Sequence, residues 1–96
     1  MNIENTHMDK IISLMIEFRN AKDAESLKNI KLLIYEEVLK SYNSTDKDFA
    51  LKTINAMNEN IDNYIYAFEN NQVSTSIIKY LNSSFASLKA LASIHI

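Results

Sequence analysis

Apolar residues recur every three or four positions along four separate stretches of the chain. This spacing puts them on one face of an α-helix, because a helix completes a turn every 3.6 residues. The stretches predict helices at about residues 7–20, 25–42, 46–69 and 74–92. The links between them are short, which places consecutive helices antiparallel. We therefore predict one all-α domain over residues 1–96, an antiparallel up-and-down four-helix bundle.

Each predicted helix has an apolar stripe expected to face the core. The stripe residues are Met8, Ile11, Ile12, Met15, Phe18, Leu27, Ile30, Ile34, Val38, Ala50, Ile54, Met57, Ile61, Tyr64, Phe68, Ile78, Leu81, Phe85, Leu88 and Ala92. Helix one adds a partly buried flank at Leu14 and Ile16. The flanking residues of helices two and four are Leu33, Tyr35, Leu39, Tyr42, Ile77 and Leu91. Helix two is thus apolar over a wide arc and should touch two neighbours. Helix one is the shortest, which predicts an uneven bundle with one poorly covered end.

The chain contains no glycine and no proline. Tight β-turns depend on glycine, so this absence also favours helices. Asparagine can take the left-handed position at a helix end in place of glycine. Asparagines stand between the apolar stretches at Asn20, Asn43, Asn70 and Asn71. The expected N-caps are Thr6 for helix one and Ser74 or Thr75 for helix four, and helix two is expected to start around residues 23–26.

Charge and cysteine content exclude several classes of function. Ten basic and twelve acidic residues give a formal net charge of −2, so no general positive field attracts nucleic acid. No cysteine is present, which removes disulfides, thiol nucleophiles and thiolate metal sites. The longest apolar runs are far shorter than a membrane span of about 20 residues. The first nine residues do not resemble a secretion signal. We expect a soluble, cytoplasmic protein.

The residues that usually carry catalysis are poorly placed here. His7 and His95 lie near opposite ends of the chain, and we expect both to be solvated. Glu36 and Glu37 are adjacent, so they point about 100° apart on a helix and should face solvent. The serines near residue 84 have no neighbouring histidine to act as a base. We expect neither an enzyme, nor a metal site, nor a cofactor.

Two surfaces are candidates for binding a protein partner. Tyr64, Tyr66 and Tyr80 lie around the turn at residues 70–72 and could form a rim of aromatic and amide groups there. The alternative is that Tyr64 belongs to the core and that Tyr66 and Tyr80 merely cover it. The outer face of helix four carries Lys79 and Lys89 but no acidic residue. Such a face suits the cytosolic side of a membrane protein or an anionic lipid, although it could also be an ordinary solvated face.

Four segments of the chain carry a family resemblance. They are Ala-Glu-Ser-Leu-Lys at 24–28, Tyr-Glu-Glu-Val-Leu-Lys at 35–40, Tyr-Ala-Phe at 66–68 and the turn Asn-Asn-Gln-Val-Ser at 70–74. With these segments the chain resembles, over about residues 8–92, the immunity proteins of pediocin-like (class IIa) bacteriocins. The resemblance implies an antiparallel four-helix bundle that protects a Gram-positive producer cell from its own bacteriocin.

The resemblance also implies a partner and a binding region. The partner is the bacteriocin-engaged membrane receptor, formed by mannose phosphotransferase components, recognised from the cytosolic side by a monomer. In this family the C-terminal half is linked to which bacteriocin is resisted. The partner-binding candidates are therefore Tyr66, Asn70, Asn71, Gln72, Lys79, Tyr80, Asn82, Lys89, Ser93 and His95. The alternative is a helical homo-oligomeric adaptor or phage-type regulator with Phe85 and Leu88 in a dimer seam.

Overall fold

Four α-helices make up the described part of the chain. The computed structural model describes residues 5–41 and 47–93, with α1 at Asn5–Asn20, α2 at Ala24–Ser41, α3 at Lys47–Glu69 and α4 at Thr75–Ser93. No strand occurs within these two ranges. The predicted all-α four-helix bundle is confirmed.

The helix bounds lie close to the predicted ones. The first helix begins two residues earlier than expected, and each other described end differs by at most one residue. The predicted ends at 42 and 46 and the link between them lie outside the described residues. Thr6 is not the N-cap of the first helix as predicted, because α1 has already begun at Asn5.

Side-chain contacts give the directions of the helices. Lys31 of α2 bonds Asp62 of α3, and Tyr35, one turn later in α2, bonds Asn58, one turn earlier in α3. His7 at the beginning of α1 meets Glu37 near the end of α2. Neighbouring helices therefore run antiparallel, as the short links predict.

One apolar core joins all four helices. Its buried residues are Ile11, Met15, Phe18, Leu27, Ile34, Val38, Ala50, Ile54, Ile61, Ile65, Leu81, Phe85, Leu88, Leu91 and Ala92. Fully burying one large apolar side chain contributes about 1.5–3 kcal/mol, so this set drives folding. Helix α2 touches α1, α3 and also α4 across the bundle, one neighbour more than its wide apolar arc predicts.

Four residues expected in or beside the core are instead exposed. Ile12 and Ile16 in α1 are 41% and 53% exposed, Leu33 in α2 is 48% exposed, and Ile78 in α4 is 43% exposed. Helix α1 packs more closely on α2 than on α4, which leaves its flank toward α4 open. Ile78 lies one turn before Asn82, which pairs with Arg19 near the end of α1. The short first helix therefore ends before it can cover Ile78.

Polar side chains cap the N-terminal ends of α2 and α4. The Ser26 backbone N–H donates to Asp23 Oδ1 at 2.8 Å, and the Ser26 hydroxyl donates to Asp23 Oδ2 at 3.1 Å. Ser74 Oγ accepts from the Ile77 backbone N–H at 3.3 Å. Asp23 is thus the N-cap of α2, within the range where that helix was expected to start, and Ser74 is the N-cap of α4, one of its two predicted caps.

Where α3 ends, Asn71 takes the left-handed position that glycine usually fills in other proteins. Its φ is 54°, in the left-handed region. The Gln72 N–H donates to the Ala67 carbonyl at 2.7 Å, and the Asn71 N–H donates to the Phe68 carbonyl at 3.3 Å. These two bonds form a Schellman motif, which closes a helix with one left-handed residue. The predicted role of asparagine is confirmed at this position.

The left-handed backbone of Asn71 predicts a position-specific response to substitution. Asn71→Val should lower the free energy of unfolding by about 1–2 kcal/mol, because a β-branched residue is strained at positive φ. Asn71→Gly should leave it nearly unchanged, since glycine adopts this conformation freely. Urea unfolding followed by circular dichroism measures both changes. Gln72→Val is the control in the same exposed turn, and an equal loss at positions 71 and 72 would contradict the assignment.

Candidate functional site

The outer face of α4 is exposed and contains no carboxylate. Lys79, Asn82 and Ser93 are exposed, and Lys89 is half-buried. No aspartate or glutamate occurs anywhere in α4. Within residues 5–41 and 47–93, no ion pair involves Lys79 or Lys89. Four predicted candidates thus lie on one helix, on a face with positive charge.

Arg19 of α1 extends this positive face across the seam between α1 and α4. Its Nε and Nη2 groups donate to Asn82 Oδ1 at 3.2 and 2.9 Å. Its guanidinium carbon lies 5.1 Å from the centre of the Phe85 ring, a distance typical of a cation–π contact. Arg19 was not among the binding residues predicted from the sequence. The signal was available, since Arg19 stands near the end of the shortest helix, where the bundle was expected to be poorly covered.

Two shallow depressions adjoin Asn82. One, of about 240 Å³, lies beyond the end of α1 and is lined by Arg19, Tyr64, Ile78, Leu81 and Asn82. The other, of about 520 Å³, follows α4 and is lined by Thr75, Ile78, Lys79, Asn82, Ser83 and Ala86. The two depressions share Ile78 and Asn82. We call the surface formed by Arg19, Ile78, Lys79, Asn82, Ala86 and Lys89 the α1–α4 face.

The two candidate tyrosines do not form one rim. Tyr66 is 65% exposed and lines a groove on the α2 side of α3, beside Lys31 and Asp62. Tyr80 is 57% exposed on α4, one turn before Ser84, whose hydroxyl accepts from Asn60 of α3 at 3.1 Å. The tyrosines therefore lie on opposite flanks of α3. They do not merely cover the core, but they present two separate surfaces.

The candidate residues in the turn after α3 support the backbone. Asn70 Nδ2 donates to the Tyr66 carbonyl at 2.8 Å, and Asn71 adopts the left-handed conformation. Gln72 is exposed, and its backbone N–H closes α3. The roles of Asn70 and Asn71 in the fold are thus visible, and neither belongs to the α1–α4 face. His95 lies outside the described residues.

On the opposite side of the bundle, charges pair within the chain. Lys31 Nζ lies 2.7 Å from Asp62 Oδ1, and Lys28 Nζ lies 3.9 Å from Glu69 Oε2. The Tyr35 hydroxyl donates to Asn58 Oδ1 at 2.7 Å. Burial, with a smaller contribution from the Asp62 carboxylate, raises the pKa of Tyr35 above its ordinary value. This phenol therefore stays protonated and keeps donating between α2 and α3.

The expectation that His7 and Glu37 are solvated is wrong. Glu37 is 7% exposed, and its Oε1 lies 2.6 Å from His7 Nδ1. A carboxylate only accepts hydrogen bonds, so the His7 ring N–H donates. Glu37 lies seven residues after Ile30 and three after Ile34, which puts it on their stripe. The antiparallel packing of α1 on α2 brings the histidine to it.

The described residues contain neither a metal-binding cluster nor a membrane-spanning helix. No group of three or more His, Cys, Asp or Glu side chains converges among the described residues. No helix in those residues is long and apolar enough to cross a bilayer. Compared with protein-family models, curated proteins and solved structures, the chain matches none. The α1–α4 face is therefore the surface from which a function has to be argued.

Proposed function

We propose that this chain is an immunity protein of the pediocin-like type. It acts without catalysis, by binding in a one-to-one complex to the cytosolic side of the bacteriocin-engaged mannose phosphotransferase receptor. The observation that carries the proposal is the α1–α4 face, which presents Arg19, Lys79 and Lys89 and, in the part of the chain that the structure describes, no carboxylate paired with them. A binding protein of this mechanism works in the cytoplasm and in part at the inner face of the membrane.

The distribution of ion pairs distinguishes this face from the α2 side of the bundle. Lys28, Lys31 and Lys40 of α2 each lie within 4.0 Å of a carboxylate of the chain itself. Such pairs reduce the local field that a charged partner would experience. The cations of the α1–α4 face keep their charge available, although the chain as a whole is acidic. Complementary charge on a partner then guides association and fixes orientation.

The proposed dimer seam receives no support from the positions of its residues. Phe85 and Leu88 are fully buried inside the single chain. A seam on this stripe would first have to open the core between α4 and the other helices. We therefore propose a monomer, and sedimentation at micromolar concentration checks it. A tight dimer would favour the homo-oligomeric adaptor.

Charge reversal on α4 tests both the function and the face. The chain is expressed in a bacteriocin-sensitive strain, which is then challenged with a panel of pediocin-like peptides. Wild type should raise the inhibitory concentration of at least one peptide by about tenfold or more. Lys79→Glu with Lys89→Glu should remove most of this protection, because both contacts become repulsive.

The matched control reverses two exposed lysines outside the face. Lys10 lies on the side of α1 opposite Arg19, and Lys52 lies on α3. Lys10→Glu with Lys52→Glu changes the net charge by the same amount and should preserve protection. Circular dichroism confirms that both double variants fold. If cells that express the wild-type chain stay sensitive to every peptide, the proposed function is falsified. If both double variants protect equally, the α1–α4 face is not the binding surface.

A further inference from the structure

Arg19 is a cation held in place without a carboxylate partner. Two of its nitrogen atoms donate to the single oxygen Asn82 Oδ1, and its guanidinium stacks against Phe85. Within the described ranges, no aspartate or glutamate lies within ion-pair distance of it. Arginine side chains normally lose considerable rotamer freedom when they bind a partner. Here that freedom is already restricted by contacts inside the chain.

The guanidinium retains donors for a ligand. A guanidinium has five N–H donors in a fixed planar arrangement. Asn82 occupies the edge shared by Nε and Nη2, and Nη1 makes only a long contact of 3.5 Å to the Met15 carbonyl. Two N–H donors therefore remain without a partner among the described residues. A planar carboxylate can accept such donors through its two oxygens.

The surroundings of Arg19 combine polar and apolar groups. Ile78 and Leu81 provide apolar lining to the 240 Å³ depression, and Ile78 is exposed there. Tyr64 and Asn82 line the same depression, and no hydrogen bond of the Tyr64 hydroxyl occurs among the described residues. One positive charge beside an apolar wall suits a singly charged anion attached to an apolar group. A phosphate dianion would favour several cations or backbone N–H groups.

We propose that this depression, the Arg19 site, binds an aspartate or glutamate side chain of a protein partner, with a neighbouring apolar residue of the partner covering Ile78. The inference rests on the proposed function in that it specifies the chemistry of the receptor segment that the α1–α4 face recognises. Arg19 holds the carboxylate, and Asn82 positions Arg19. The lysines of α4 lie beside this site and add charge, whereas Arg19 supplies the geometry.

Two dipeptide probes test the site on the intact protein. Acetyl-Leu-Glu-amide offers a carboxylate beside an apolar side chain, and acetyl-Leu-Gln-amide is its neutral isostere. In two-dimensional NMR titrations, the glutamate probe should shift the Arg19 Nε–H and the Asn82 side-chain amide in a saturable way. The glutamine probe should bind about tenfold more weakly or worse, because it lacks the charge-assisted bonds. Equal binding of both probes would overturn the proposal.

Two variants locate the binding. Arg19→Lys keeps the charge but lacks the planar pair of N–H donors, so the glutamate probe should bind about tenfold more weakly. Ile78→Glu alters an exposed residue, so the fold should persist while its own carboxylate competes for Arg19. Ile78→Glu should weaken binding of the glutamate probe to a similar extent. Lys10→Gln is the control and should bind as wild type. Wild-type affinity in both site variants would refute the site.

A membrane surface is the competing occupant. Vesicles of phosphatidylglycerol and phosphatidylcholine, cosedimented with the protein, test it. Under our proposal these vesicles bind no more weakly to Arg19→Lys than to wild type. Attraction to anionic lipid depends on the charge of the side chain rather than on the planar arrangement of guanidinium donors. Vesicle binding that is lost in Arg19→Lys, combined with no response to the glutamate probe, would assign the site to a lipid headgroup and overturn our assignment.

The site and the proposed function can fail separately. If the glutamate probe binds but wild type protects no cell, the function fails and the carboxylate site stands. If wild type and Arg19→Lys protect equally and no probe binds, the site fails and the function stands. Our proposal expects probe binding, protection by wild type and a loss of at least about tenfold in protection for Arg19→Lys.

Discussion

Replacing Phe85 by alanine is expected to lower the free energy of unfolding by about 3–5 kcal/mol. Phe85 is fully buried, and its ring meets that of Phe18 edge to face at a centroid distance of 5.2 Å. Removing the ring leaves a cavity between α1 and α4 and also deprives Arg19 of its aromatic contact. A chain of this size has a total stability on the order of 5–10 kcal/mol, so the variant should lose a large share of it and unfold at a much lower urea concentration. Urea unfolding followed by circular dichroism measures the change.

Tyr80→Ala is the matched control, because it truncates another aromatic residue of the same helix. Tyr80 is exposed, so little burial is lost, and alanine is the better helix former. We expect a change of less than about 1 kcal/mol. If Tyr80→Ala destabilised the chain as much as Phe85→Ala, the faces of α4 would be assigned wrongly. The pair therefore tests the orientation of the helix that carries half of the binding candidates.

The fold could be predicted from the sequence because its cause is local and repeated. Every helix has a periodic apolar stripe, and the link before α4 has a cap at Ser74 and an asparagine suited to positive φ at Asn71. These signals involve residues within one or two turns of each other. They act before the helices meet, so the pattern alone places the elements to within about two residues.

The errors arose where packing decides. Periodicity puts Ile78 on the stripe of α4, but exposure depends on where α1 ends beside it. Similarly, Glu37 reads as a surface residue because of its charge, although its position faces α1. The sequence pattern predicts which side of a helix is apolar. It does not predict which residues of one helix lie beside the end of its neighbour, and that alignment determines the depression at Arg19.

The candidate site was predicted in part. The outer face of α4 was found because lysines without neighbouring acids are visible in one helix. Arg19 was missed because its role depends on contacts with Asn82, 63 residues away in the chain. Tyr66 and Tyr80 were grouped because both flank one turn, yet α3 separates them. Closeness along the chain is thus a weak guide to a shared surface when a helix lies between two residues.

His7→Ala is expected to lower the free energy of unfolding by about 1–3 kcal/mol. The side chain of Glu37 is only 9% exposed, and His7 Nδ1 lies 2.6 Å from its Oε1. Removing the histidine leaves a nearly buried carboxylate without this donor, and such a group keeps its desolvation cost. Glu36→Leu, at the neighbouring exposed position, is the control and should change stability by less than about 0.5 kcal/mol. Urea unfolding of each variant supplies the values.

Glu37→Leu should behave differently from His7→Ala, although both remove the same contact. Leucine fills the buried position without a charge, and the partly exposed histidine can turn toward water. We expect a loss of less than about 1 kcal/mol, or a gain. In the double variant, His7→Ala should then cost almost nothing further, which gives a coupling energy of about 1–3 kcal/mol. Additive losses would show that His7 stabilises α1 by some route other than Glu37. The asymmetry would identify the buried carboxylate, rather than the histidine, as the group that makes this pair necessary.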